Sequence, residues 1–482
     1  MTKGAVALVL HAHLPYVRSA QPGSLEEDWF FQALIECYLP LLETLERASA
    51  DPHQQPKLTI GLSPTLLSLL SDQDLKQRFP AWLNERLDLL PKADPSLRAG
   101  AEHLAATIER HRRAWQSCDG DLIQRFAALQ RQGVVDLLTC GATHGYLPLL
   151  RHHPEAVRGQ LRTAVREHQR LVGERPLGIW LPECAYYEGL DRWMRDAGLR
   201  YAVLDGHGLL HGRPRPRYGV YAPICSRNGV AFFGRDSDAT LPVWSAKDGY
   251  PGDPHYREFH RDLGWDLPIE ELKPLGLDQP RPLGLKLHRV TDHSAPLDRK
   301  RPYEPGVAAE RVKEHAADYL QGRRRQLDQL SAAMDVSPLL VAPFDAELFG
   351  HWWFEGPAFL SQLFQQAPQE GVSFTRLRDV LNNVGQLQLC DPCPSSWGQG
   401  GYHDYWLNDS NAWIIPEWEK ASAAMVQRCS RGVGSEQAMQ WLQQAARELL
   451  LAQSSDWSFI LRAGTTTELA KERVQRHLGR FW

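Results

Sequence analysis

Short apolar runs punctuate the chain at residues 6–10, 58–60, 134–138, 177–181, 201–204, 230–233, 283–287 and 339–341. Runs this brief and continuously apolar predict strands buried on both faces. Between most of them the apolar positions change to three- and four-residue spacing. That period predicts helices over 29–49, over 97–129 with a break near Asp119-Gly120, over 156–172 and over 311–334. Strand alternating with helix predicts an α/β fold, and the long intervals favour a barrel over hairpins.

Two stretches leave the pattern. Residues 205–229 carry Gly206-His207-Gly208 and Gly212-Arg213-Pro214-Arg215-Pro216-Arg217-Tyr218-Gly219, turn formers mixed with basic residues. They predict an excursion from the barrel, and a plain surface loop is the simpler reading. Residues 276–305 predict a second excursion, on the barrel rim. After about Arg378 the strand–helix pattern stops. A turn cluster at 391–396 leads into two helices within 417–452, broken near Arg431-Gly432-Val433-Gly434. About 380–482 is therefore expected to be a helical C-terminal domain.

Four of the apolar runs end in chemistry. The first enters His11-Ala12-His13-Leu14-Pro15-Tyr16, and the third enters Gly141-Ala142-Thr143-His144-Gly145-Tyr146. Gly178-Ile179-Trp180-Leu181-Pro182 ends at Glu183, and Leu339-Leu340-Val341-Ala342 leads to Phe344-Asp345-Ala346-Glu347 and on to His351-Trp352-Trp353. In a βα barrel all strand C-termini open on one face, so residues far apart in sequence converge there. Aromatic faces beside carboxylic acids suit a sugar ring, which needs stacking for its C–H face and an acid for its glycosidic oxygen.

Composition narrows the classes. A chain of 482 residues is long enough for a barrel plus an accessory domain. Hydrophobic content of 43% and a formal charge of -4 describe a soluble protein with no electrostatic case for nucleic acid or an anionic membrane. No apolar run reaches the length of about 18 residues that a membrane span needs. Met1-Thr2-Lys3-Gly4 leads into a strand pattern and not into a cleavable signal, so a cytoplasmic location is expected. The eight cysteines are scattered, and Cys390-x-x-Cys393 has no second ligand pair at similar spacing, so free thiols are expected rather than zinc. Of the sixteen tryptophans, Trp180, Trp244, Trp352, Trp353, Trp397 and Trp406 lie in or beside the motif segments.

The segments HAHLPYV, GATHGYLPLL, WLPEC and DAELFGHWWFEGP resemble successive signature regions of glycoside hydrolase family 57. Their wording is nearest to the family's α-1,4-glucan branching enzymes. Val243-Trp244-Ser245-Ala246 through Gly252, and Ser396-Trp397-Gly398 through Asn408, extend the likeness to about residues 4–460. The resemblance implies an incomplete (β/α)7 barrel with an inserted loop subdomain and a C-terminal α-helical domain, so one of the eight strand candidates belongs to an insertion or hairpin. The implied division is a catalytic barrel over 1–185 and 230–380, an inserted subdomain with a mobile loop over 186–229, and a helical domain over 381–482 that contributes aromatic residues to the site.

It also implies residue roles. Glu183 matches the nucleophile of a retaining double displacement and Asp345 the acid/base. Tyr218 matches a tyrosine near the tip of a transfer loop. Trp244, Trp353, Trp397 and Trp406 are implied substrate contacts, and His11, His13 and His144 are implied to bind glucosyl hydroxyls and orient Glu183. The substrate would be an amylose-, glycogen- or starch-like α-1,4-glucan, with no metal or other cofactor. The attacking group decides the product: water gives an α-amylase, a 4-hydroxyl a 4-α-glucanotransferase, a 6-hydroxyl a branching enzyme. Two readings of other classes stay open. His11, His13, His144 and an acid could bind a divalent metal, as in a metal-dependent carbohydrate deacetylase, or the chain could be an inactive glycan-binding protein. Oligomeric state is not encoded in any of these features.

Overall fold

A computed structural model describes residues 4–432 and 434–482. The first three residues of the expected N-terminal run-in, and Val433 in the expected helix break, lie outside them. Among the described residues nine strands are present: β1 Ala5–Ala12, β2 Leu58–Leu62, β3 Val135–Leu138, β4 Gly178–Ile179, β5 Tyr201–Leu204, β6 Ile224–Cys225, β7 Ala231–Gly234, β8 Leu339–Asp345 and β9 Gln388–Leu389. They form two sheets, ordered β3-β2-β1-β8 and β4-β5-β7-β6-β9. Within the first sheet every pairing is parallel, as are β4–β5 and β5–β7 in the second.

These seven parallel strands follow the circular order of a barrel, but its two seams are thin. One is the single bridge Thr139↔Ile179. The other is one hydrogen bond, 2.8 Å, from the Asp236 N–H to the Val341 carbonyl. The barrel is therefore incomplete, with no continuous ladder around it. Six of the eight apolar runs contain strands close to their expected bounds, and the run at 177–181 holds only the two-residue β4. The run at 283–287 forms no strand. Its backbone is met residue by residue from irregular chain, Leu263 N–H to the Leu285 carbonyl and Tyr303 N–H to the Leu287 carbonyl, while Leu283, Leu285 and Leu287 are buried. Apolar content there reflects burial of an excursion, not a ladder.

Parity along the strands places the chemistry. Alternate residues of a strand face opposite sides. Ala7 and Val9 of β1, Leu339 and Val341 of β8, Leu138 of β3, Tyr201 and Val203 of β5, and Ala231 and Phe233 of β7 pack together inside the ring. Val6, Leu8 and Leu10, with Leu340, Ala342 and Phe344, face the outer helices. Continuing the inward parity reaches His11 on β1 and Asp345 on β8, which are direct partners in the β1–β8 register. Both stand at the C-terminal mouth of the barrel.

The segment 186–229 is not wholly an insertion, because β5 within it is an interior strand of the second sheet, between β4 and β7. Only the stretch after β5 leaves the sheet, returning as β6, which pairs antiparallel to β7. Four helices, Ile414–Ser430, Glu436–Ala452, Ser455–Ala463 and Thr467–Phe481, form the C-terminal unit. Trp418, Ala452, Trp457, Leu461 and Val474 from these helices share one apolar cluster with Val157, Leu161 and Val165 of helix Pro154–Val172 and with Ile179, Ala202, Leu204 and Phe232, the outward residues of the second sheet. Among the described residues no helix is long and apolar enough to cross a membrane.

Candidate active site

A cavity of about 840 Å³ opens at the barrel mouth and brings together His11, His13, His144, Glu183, Asp345 and Trp397. It runs on between the helix Leu25–Ala33 and the rim excursion, along Trp29, Phe259, Trp265, Lys286 and Trp352.

Glu183 is held in an unusual backbone state. Its φ is 61°, Cys184 follows at 49°, and His144 on the neighbouring loop has 57°. Left-handed backbone is unfavourable for residues with a Cβ, by about 1 kcal/mol or more, and persists only where surroundings enforce it. Here the Cys184 N–H donates to the Leu181 carbonyl at 2.8 Å and the Trp397 N–H to the Glu183 carbonyl at 3.1 Å. The twist turns the carboxylate into the cavity. There its Oε2 accepts the Trp397 indole N–H at 2.9 Å and its Oε1 the Ser455 hydroxyl at 3.3 Å.

The three histidines form a stack. The His11 ring lies parallel to Trp180 at 4.8 Å, and His144 lies 3.9 Å from His13 and 5.2 Å from His11. Gly61, beside His11 in the β1–β2 register, leaves room for it: a Cβ there would sit 2.9 Å from His11 Nδ1. His11 and His144 share a hydrogen bond between their Nε2 atoms at 3.1 Å. His144 Nδ1 then meets the Ser455 hydroxyl at 2.8 Å, which leads to Glu183. Burial, and then the charge of His144 on His11 and of His13 on His144, holds both imidazoles well below the usual histidine range. They are neutral near pH 7. His13 bonds Ser63 at 2.9 Å and Asp456 at 3.1 Å. Burial disfavours the Asp456 carboxylate, but the His13 charge and hydrogen bond outweigh it and bring its pKa down to about 2.

The two matched carboxyls differ in their donors. Burial pushes Glu183 up to about 7, the Trp397 N–H opposes this, and the Asp345 charge adds to it. Burial and then the Glu347 charge push Asp345 to about 7, against the His13 and Arg235 charges, and among the described residues it accepts no hydrogen bond. When neighbouring carboxyls compete for a proton, the one without donors keeps it. The hydrogen bonds thus favour ionised Glu183, while burial holds both carboxyls near 7. Glu347 also reaches the cavity, but its Oε1 is taken by the Tyr38 hydroxyl at 2.5 Å and the His13 N–H at 3.0 Å.

Other sequence-derived site residues fall elsewhere. Trp353 is 2% exposed and packs against Tyr256, Phe349 and Phe359. Its neighbour Trp352, 56% exposed, lines the cavity and stacks on Phe259 at 4.7 Å. Trp406 is buried and stacks on Tyr146 at 4.5 Å, behind the site. Trp244 is not in the cavity wall but flanks Trp397 at 5.7 Å. Tyr218 is not brought to the cavity: its hydroxyl donates to Asp335, beyond the end of helix Pro305–Ala333, and Arg217 pairs with the same carboxylate. The turn is also held by Gln388, whose Oε1 accepts the Arg217 N–H at 2.7 Å and whose amide N–H donates to the Arg215 carbonyl at 2.9 Å. Ser455 and Asp456 were invisible to strand-end reasoning because they open a C-terminal helix; the cue was Ser454-Ser455-Asp456, a helix-start pattern.

Among the described residues, two sets of side chains could hold a metal, with ligand atoms within 4.8 Å of one another: His11, Cys140 and His144, and His13, His144 and Asp456. In the second set the nitrogens of both histidines are already engaged with Ser63, Asp456, His11 and Ser455. The rings are also stacked rather than converging on a point, which suits a hydrogen-bonding wall better than a coordination sphere.

Comparison with known proteins agrees with this architecture. The pattern described as glycosyl hydrolase family 57 matches residues 7–391, and that described as 1,4-alpha-glucan branching enzyme, C-terminal, matches residues 417–482. A 1,4-alpha-glucan branching enzyme of Thermococcus kodakarensis is 32% identical, covering 98% of this chain and 72% of its own. The solved alpha-amylase AmyC of Thermotoga maritima superposes with a TM-score of 0.92 at 35% identity, over 99% of this chain and 92% of its own. A solved branching enzyme of this family from Pyrococcus horikoshii gives 0.89 at 32% identity, over 98% and 88%. Fold, site and sequence therefore agree that the chain belongs to glycosyl hydrolase family 57.

Proposed function

We propose that the chain is a retaining α-1,4-glucan branching enzyme acting in the cytoplasm on amylose- or glycogen-like polymers. The observation that carries this reading is the pair of unlike carboxyls, Glu183 with two donors and Asp345 with none among the described residues, in one aromatic cavity. Glu183 attacks the anomeric carbon as Asp345 gives its proton to the departing 4-oxygen. The C1–O4 bond breaks and a C1–carboxylate ester forms. Asp345, now ionised, takes the proton of an incoming 6-hydroxyl, whose oxygen displaces Glu183 and closes the α-1,6 branch. The neutral His11–His144 pair, acting through Ser455, steadies Glu183.

A second reading is an α-amylase of the same family. It is favoured by Tyr218 lying away from the cavity, which leaves no tyrosine loop shielding the glucosyl ester from water, and by the likeness to the Thermotoga enzyme. Linear amylose digested with the purified chain, then treated with an isoamylase-type debranching enzyme, separates them. New short chains released by debranching are expected. Reducing ends alone would transfer the chain to the amylases. Glu183→Gln is expected to lower either activity by at least about a thousandfold, as loss of a covalent nucleophile does. Chelator treatment is expected to leave activity unchanged. Loss restored by zinc would instead make the His13, His144 and Asp456 set a metal centre.

A further inference from the structure

Lys286 lies in the cavity wall, 4% exposed. An ammonium has three donors and no acceptor, and burying it is unfavourable unless they are used. Among the described residues it makes no hydrogen bond and no ion pair; its one close partner is the Phe259 ring, whose centroid lies 3.6 Å from Nζ. That contact stabilises the charge without using an N–H on oxygen. The carboxylates whose fields reach it are occupied. Glu36 pairs with His351 and Arg257, Glu258 pairs with Lys300, and Asp262 accepts the N–H groups of Gly264, Leu283 and Gly284. Burial lowers the ammonium to about 8, against the pull of Glu36, so it is charged at neutral pH. Its unused donors open on the cavity.

Position says which part of the substrate it meets. Phe259 stacks on Trp352, and Trp352 sits on the turn that directly follows Asp345. Under the proposed mechanism Asp345 protonates the leaving oxygen and deprotonates the incoming one. Sugar that departs and sugar that arrives both lie on its side. We propose that Lys286 is a specificity-determining residue of the acceptor side, donating hydrogen bonds to hydroxyls of a glucosyl unit that lies against Trp352, and so favouring a glucan acceptor over water. This rests on the glucan-transfer reading above.

The test uses the full chain on amylose, measuring KM, kcat and the ratio of transferred to hydrolysed bonds. Lys286→Met is expected to raise KM roughly tenfold, the size of a lost charge-assisted hydrogen bond, to lower kcat less, and to shift the ratio toward hydrolysis. Lys286→Arg is expected to restore most of both. A fall in kcat alone, with KM and ratio unmoved, would make Lys286 a structural counter-charge for Glu36 and overturn the inference. If Lys286→Met does not fold, Trp352→Ala at the exposed wall carries the test: the same shift supports the acceptor side, and an unmoved ratio and KM overturn it. A wild-type chain that yields only reducing ends defeats the transfer reading separately. In that case the Lys286→Met KM for amylose still decides whether the ammonium touches glucan.

Discussion

At the scale of single residues, the site is governed by who donates to which carboxyl. Under the proposed mechanism this pair acts with Glu183 ionised and Asp345 protonated. The rate therefore falls at low pH as Glu183 gains a proton, and at high pH as Asp345 loses one. Trp397→Phe removes a donor to Glu183 and raises its pKa, so the acid limb of kcat/KM should move to higher pH. The shift should stay under about one unit, since one such hydrogen bond contributes about 1 kcal/mol. Glu347→Gln removes the charge that helps hold Asp345 up, so the alkaline limb should move to lower pH. Paired pH profiles check both signs, and a limb that stays in place would reassign its carboxyl. Glu183, Asp345, His11, His13 and His144 were legible because each ends or follows an apolar run. The choice between Trp352 and Trp353 was not. Adjacent aromatics on a turn point opposite ways, and only the turn's packing decides which one meets solvent.

At the scale of elements, the turn that follows Asp345 is clamped by one helical irregularity. The helical run from Leu25 to Ala50 contains a π-turn at Leu34–Tyr38. Such a bulge inserts an extra residue into the turn and redirects side chains, often at functional sites. Here it sends Glu36 to His351 at 2.6 Å, the Cys37 thiol to the Ala346 carbonyl at 3.0 Å, and Tyr38 to Glu347. Gly350 closes the clamp. Its φ is 119°, and a Cβ there would lie 1.7 Å from the Glu36 carbonyl oxygen. Gly350→Ala is expected to destabilise the fold by more than about 2 kcal/mol, through strain and overpacking together. Denaturant titration measures it, and a change within 0.5 kcal/mol, roughly the size of a neutral surface substitution, would refute the clamp. The periodicity predicted this helix from residue 29 onward, yet a π-turn leaves almost no trace in a three-to-four spacing.

At the scale of the whole molecule, the C-terminal helices are wall as well as lid. They extend the apolar cluster that helix Pro154–Val172 forms over the second sheet, and through Ser455 and Asp456 they reach the cavity. A chain ending at Ala412 would uncover apolar residues of that cluster, beginning with those of helix Pro154–Val172. Apolar surface of that extent on a soluble chain drives aggregation. The truncated chain is expected to lose cooperative unfolding and all activity. A soluble, cooperatively melting truncation would show that the barrel stands alone, and its residual activity would then measure what Ser455 and Asp456 contribute.

Sequence alone determined the α/β class, six of the seven barrel strands nearly in full, and the strand ends where acids and histidines gather. All of these are local, written in the period of apolar residues and in what interrupts it. Tertiary structure decided what depends on distant chain meeting distant chain: which seam stays thin, which tryptophan faces the cavity, and where the Tyr218 loop rests. It also decided that an aspartate opening a C-terminal helix would pair with a histidine at the end of the first strand. No periodicity encodes such meetings, because they are fixed by packing between elements rather than by the geometry of any one of them.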